Sequence, residues 1–193
     1  MNNGLFTLRY SLFAIPKMKT SIEKRKPEGV LDYLSLAVTT VGVGYLPAAP
    51  GTYGSLVAAG FYYLVATVFG SFRYGANLAA PEFFVAAVHA LILIAFLLFS
   101  LLGVWAAGRA TDLLGNLDPS EAVVDEVIGQ LIVFLFIPFT SSLFLIGCGF
   151  LLFRLFDIWK PYPIDYLQGL PGGIGVCADD ILAGVYAGVC LSI

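Results

Sequence analysis

The sequence predicts an all-α, polytopic membrane protein of about three to five membrane segments, one of them broken or re-entrant. Three observations carry that expectation. Of 193 residues, 59% are hydrophobic and only 12% are charged, and the mean hydropathy of +0.90 is far above what a soluble domain needs. Several apolar runs approach the roughly 20 residues that a helix needs to cross a bilayer. Between those runs lie four short polar or glycine-rich stretches.

Residues 1–29 precede the first run and hold six of the ten basic residues: Arg9, Lys17, Lys19, Lys24, Arg25 and Lys26. Eleven of the thirteen acids lie beyond them, so the positive-inside rule assigns the N-terminus to the cytoplasm. A cleavable signal would carry its charges ahead of its apolar stretch, whereas Phe6–Ile15 contains Arg9 and is followed by the basic cluster. A mobile basic tail over 1–29, resting on anionic headgroups, is expected, with 30–193 as one helical membrane domain. Cys148, Cys177 and Cys190 form no C-x-x-C pair, and the chain has a single His, which argues against a disulfide framework or a zinc site.

The apolar runs read as Leu31–Leu46, Ser55–Phe72, Phe83–Trp105, Leu131–Phe153 and Ile181–Ile193. The third is long enough to span and the second adequate, while the first and last are short and sit tilted or partly among headgroups. Between them lie GYLPAAPGTYGS (Gly44–Ser55), DPSEAVVDEVIG (Asp118–Gly129), RLFDIWKPYPI (Arg154–Ile164) and LPGGIGVCADDILAG (Leu170–Gly184). To build one site, all four must reach the same membrane face. Two spans separate the first stretch from the second, but only Leu131–Phe153 separates the second from the third. Pro138-Phe139-Thr140-Ser141-Ser142 divides that run into pieces of about half a bilayer each. A re-entrant helical hairpin over 131–153 is therefore expected, an arrangement tolerated at membrane depth when buried in protein.

Asp118-Pro119-Ser120-Glu121 is a helix-start signature, with Asp at the N-cap, Pro at the first position and an acid at the third. Asp125 and Glu126 lie a further turn in and lead directly into apolar sequence. Adjacent carboxylates at a bilayer boundary repel each other and lose hydration, and a bound cation relieves both costs. Asp179 and Asp180 repeat the pattern at the mouth of the last segment, where capping accounts for one acid but not both. With Asp157, these acids form an oxygen-rich set suited to Mg²⁺ or Mn²⁺.

Arg154 and Lys160, each three residues from Asp157, supply counter-charges for an anionic group on one helical face that Pro161 ends. The bland reading is that both snorkel to the interface. In Gly44–Ser55, Pro47, Pro50, Gly51 and Gly54 shape a loop whose N–H groups, with the hydroxyls of Thr52 and Ser55, can wrap phosphate oxygens. A helix starting after Gly54 would add its positive dipole end. No Gly-Lys-Ser/Thr follows, so the loop is not a Walker A loop. Cys148 and Arg154 have the spacing of a cysteine-phosphatase loop, but an apolar helix between them cannot cradle an anion. His89 reads as a packed or hydrogen-bonded residue, and one His excludes chemistry built on a histidine pair.

Taken in order, GYLPAAPGTYGS, VVDEVIGQ, FRLFDIWKPYPI and GGIGVCADDILAG resemble the phosphatidylglycerophosphatase A family over most of residues 42–188. The resemblance implies an integral membrane, Mg²⁺-dependent lipid phosphatase that converts phosphatidylglycerophosphate into phosphatidylglycerol, acting at the cytoplasmic face of a bacterial-type inner membrane. It implies a phospholipid partner and no nucleic acid. One departure stands out: between Ile164 and Gly172 the family carries more charge than Asp165 and Gln168 provide here.

The expected chemistry is metal-assisted hydrolysis of a phosphomonoester. Asp125, Glu126, Asp179 and Asp180 are the expected metal ligands, and Asp125, Glu126, Asp157 and Asp180 the catalytic acids. Arg154, Lys160, Gly51, Thr52, Gly54 and Ser55 are expected to bind the phosphate. The competing reading is a small transporter or channel whose intramembrane carboxylates handle protons or cations. That reading calls for acids near mid-bilayer and has little use for a paired Arg and Lys.

Overall fold

The computed structural model describes residues 23–75, 82–116 and 119–193. In order come α1 (Val30–Thr40), α2 (Pro50–Gly75), α3 (Glu82–Leu114), α4 (Val124–Val133), a 3₁₀ turn (Phe134–Phe136), α5 (Leu143–Trp159), α6 (Ile164–Leu167) and α7 (Gly172–Ser192). No strand occurs among the described residues, so the all-α expectation stands. Three helices are long and apolar enough to cross a membrane: Pro50–Ser71, Phe83–Leu114 and Gly172–Ser192.

α3 has 33 residues, about 50 Å of helix against a hydrocarbon core of about 30 Å. A helix of that length exceeds the core by several turns, and the charged residues Arg109 and Asp112 lie in its last two turns. α1 has 11 residues, about 16 Å, and cannot cross. Asp32 in its first turn accepts from Arg109 at 2.7 Å. Near its other end the Thr39 carbonyl accepts from the Val123 N–H at 2.9 Å. Both ends of α1 are thus held at the same end of the bundle, with Arg25 beside them: its backbone N–H donates to the Asp112 carbonyl at 3.0 Å and its guanidinium to Asp32 at 2.9 Å. Most of the expected tail, residues 1–22, lies outside the described residues.

The segment expected to be re-entrant or broken is broken, and it folds back on itself. α4 gives way to the 3₁₀ turn, the chain is irregular from 137 to 142 around Pro138, and α5 starts after Ser142, whose hydroxyl accepts from the Leu145 N–H. Glu126, at the start of α4, and Arg154, near the end of α5, both stand against Gly51 of α2. The hairpin therefore returns to the end of the bundle where it began. Its tip is pinned to α2, because the Thr140 N–H donates to the Tyr62 hydroxyl at 3.2 Å. The Tyr62 ring also stacks on Phe134 with centroids 4.2 Å apart.

Three helix starts differ from expectation. α2 begins at Pro50, not after Gly54: proline at the first helical position is preorganised for the helix and gives up an N–H that has no partner there anyway. α7 begins at Gly172, so Asp179 and Asp180 lie about two turns inside it, not at its mouth. Its glycines allow close approach and do not mark a loop, since a Cβ at Gly173 would collide with the Val104 carbonyl of α3, and one at Gly184 with the Gly129 carbonyl of α4. Finally, Pro119–Glu121 form a turn, closed by the Ala122 N–H on the Pro119 carbonyl, and α4 starts at Val124. Asp125 and Glu126 are therefore in its first turn, and Asp118 lies outside the described residues. The capping signature is overridden by the Val123 N–H, which bonds α1.

Candidate active site

Five acids from three helices meet at one end of the bundle. Four are nearly excluded from solvent: Asp125 is 7% exposed, Asp157 8%, and Asp179 and Asp180 4% each. Burying carboxylates this thoroughly is costly unless each is paired or holds an ion. The five divide into two sets on that criterion.

Asp157 and Asp179 are paired. Arg154 donates to Asp157 at 2.6 Å, one turn along α5. Lys160 lies 3.8 Å from the other Asp157 oxygen and 2.5 Å from Asp179 of α7. Burial by itself would lower the Lys160 pKa, but the charge and hydrogen bond of Asp179 hold it above the ordinary lysine value. Lys160 is placed by the end of its helix, where it takes a left-handed φ of 44° and Pro161 follows. Asp179 also accepts from the Gln168 amide at 2.8 Å.

Asp125, Glu126 and Asp180 form the other set. Each offers an oxygen within 4.8 Å of the other two, and none has a salt bridge among the described residues. Asp125 Oδ1 and Glu126 Oε2 are buried with no hydrogen-bond partner in the protein, as is Oδ1 of Asp179, whose other oxygen takes Lys160 and Gln168. Gly51 permits the arrangement: a Cβ there would strike the Glu126 carboxylate and lie 3.4 Å from Arg154 Nη1. Small residues at Gly129 and Gly184 let α4 and α7 approach closely enough for Asp125 and Asp180 to meet.

Of the expected site residues, Asp125, Glu126, Asp180, Asp157, Asp179, Arg154, Lys160 and Gly51 come together. Asp179 stands with the basic groups and not with the other three acids. Gly54 packs against Val123, and the Ser55 hydroxyl, wholly buried, donates to the Gly51 carbonyl at 2.9 Å. Thr52 lies in the first turn of α2, its N–H donating to the Ala49 carbonyl. His89 hydrogen-bonds the Val85 carbonyl through Nδ1, remote in sequence and contacts from the acids. Gln168 escaped sequence reasoning because a polar residue in a short interhelical turn carries no spacing signal; its position in the charge-poor segment 165–171 was the one pointer.

Chemically, three unpaired hard oxygen donors beside a row of two held cations can accept a divalent ion and an anionic group together. Comparison with known proteins bears on which anion. The phosphatidylglycerophosphatase A family matches residues 36–193. A protein of Bacteroides thetaiotaomicron named "Putative phosphatidylinositol-3-phosphatase" is 34% identical over 160 residues, 80% of this chain and 89% of that protein. Proteins named phosphatidylglycerophosphatase A are 32% identical in Escherichia coli, over 75% of this chain and 73% of theirs, and in Haemophilus influenzae, over 84% and 88%. No solved structure matches. With a match across four-fifths of its length that takes in every one of these polar groups, the chain belongs to the phosphatidylglycerophosphatase A family.

Proposed function

We propose that this protein hydrolyses the terminal phosphomonoester of phosphatidylglycerophosphate, giving phosphatidylglycerol and phosphate in a Mg²⁺-dependent reaction. The observation that carries the reading is the division of the buried acids: three carboxylates without a salt bridge adjoin two that hold Arg154 and Lys160 in place. A transporter has no evident use for that basic pair at a helix end.

The residues present fit a divalent ion. Asp125, Glu126 and Asp180 are hard donors within 4.8 Å of one another, and two of their buried oxygens are otherwise unpartnered. These three would hold Mg²⁺ or Mn²⁺, which when bound polarises the phosphoryl group and offsets charge on the leaving alkoxide. Arg154 and Lys160 bind the phosphoryl oxygens, and Asp157 and Asp179 fix the direction in which the two cations point. Gly51 keeps Glu126 and Arg154 adjacent, and the first turn of α2, which includes Thr52, brings its positive dipole end to the same place. Uncatalysed phosphomonoester hydrolysis is slow enough that these effects together must supply on the order of 20 kcal/mol.

The site faces the cytoplasm in this reading, because Arg25 and Arg109 meet at Asp32 at the same end of the bundle and the sequence before α1 is basic. The membrane is a bacterial-type inner membrane. The test is phosphate release from phosphatidylglycerophosphate by the purified protein, with Mg²⁺ and with chelator, beside phosphatidylinositol-3-phosphate at equal concentration. Release that needs Mg²⁺ and prefers the glycerophosphate headgroup is expected; release indifferent to chelator, or confined to the inositol lipid, would refute the assignment.

A further inference from the structure

Gln130 is wholly buried, at 0% exposure, yet neither its side-chain oxygen nor its nitrogen has a hydrogen-bond partner in the protein. A buried side-chain amide that satisfies none of its bonds is among the costliest polar groups a core can hold. Orphans of this kind call for a water, an ion or a catalytic role.

Its position says which. Gln130 follows Glu126 by four residues on α4, so the two lie one above the other on a single face of the helix. Phe134, four further on, continues that face and stacks on Tyr62 of α2, while Glu126 stands against Gly51 of α2. Gln130 therefore lies between them at the α2 side, one turn deeper than the acids. The α2 residues at that level offer it little: Ala58 and Ala59 are apolar, and the Ser55 hydroxyl is already given to the Gly51 carbonyl.

We propose that Gln130 is an additional functional group of this site, its carboxamide holding the water that attacks the phosphoryl group from below the acids. This rests on the phosphatase reading above. A side-chain amide suits the task, since it donates to and accepts from one water and thereby fixes the direction of the lone pair. As the water oxygen bonds to phosphorus the bond to the glycerol oxygen breaks, and the water's proton leaves to a neighbouring carboxylate of the acid cluster and from there to the departing alkoxide.

Gln130→Met keeps the volume and removes the amide. A residue kept for stability alone would be missed on replacement. A residue kept for water positioning at a cost to stability gives the opposite pair of results. The variant is expected to melt at least about 2 °C above wild type, as the buried amide and the water it immobilises are both removed from the core, while kcat for phosphate release falls 10-fold or more and KM changes less than 3-fold. A lower Tm would show that the amide has a protein partner and overturn the proposal, as would wild-type kcat in the variant. If the wild-type protein releases no phosphate, the phosphatase reading fails and this proposal falls with it, whereas an active wild type beside an equally active variant sinks this proposal alone.

Discussion

Gly51→Ala is a one-carbon change aimed at the geometry of the site. The added methyl occupies the place of the Glu126 carboxylate and comes within 3.4 Å of Arg154 Nη1. The backbone of α2 is held here by the Ser55 hydroxyl on the Gly51 carbonyl, so the flexible Glu126 side chain is what must move, by about 1 Å or more. A displacement of that size in a positioned catalytic group costs on the order of 100-fold in rate, equivalent to about 2.7 kcal/mol of transition-state stabilisation. The fold has no comparable reason to suffer, because alanine is a better helix former than glycine by up to about 1 kcal/mol. Phosphate release and thermal unfolding, measured on the same detergent-solubilised preparation, should separate: kcat/KM down about 100-fold, Tm equal to or slightly above wild type. Activity within twofold of wild type would refute the placement of Glu126 in the reacting site, and a lower Tm would show that Gly51 serves packing.

The paired and unpaired acids should answer differently to neutralisation. Asp180→Asn is expected to abolish Mn²⁺ binding measured by titration calorimetry, whereas Asp179→Asn leaves that binding within a few-fold and raises KM by freeing Lys160. Lys160→Ala should raise KM and also lower stability by about 2–3 kcal/mol in denaturant titration, since it strands the buried Asp179 carboxylate. Asp32, held by Arg25, the Glu28 N–H and Arg109, has its pKa lowered from 3.8 to about 2. A depressed acid stabilises the fold above its unfolded pKa and loses that contribution as pH falls through its folded value. The Tm advantage of wild type over Asp32→Asn should accordingly be full at pH 6 and shrink between pH 4 and pH 2; an advantage independent of pH would refute the clamp between α1 and α3.

Much of this protein was legible in its chain because the relevant energies are local. The cost of placing apolar side chains in water declares the bilayer, and the interruption at Pro138–Ser142 declares a hairpin, because proline breaks the helix ladder wherever it stands. The chemistry of Asp125, Glu126, Asp157, Asp179 and Asp180 as oxygen donors is likewise a property of the residues themselves. Only the tertiary structure decided how those acids divide. Asp179 and Asp180 are neighbours in sequence, yet one is bound to Lys160 and Gln168 and the other joins Asp125 and Glu126. Adjacent residues on a helix point about 100° apart, and which partner each meets depends on which helix packs there. The same holds for Gly51 and Gly173, which suggest loops in the sequence but in the fold lie within helices at close approaches. A missing side chain reveals its purpose only when the neighbour that needs the space is known.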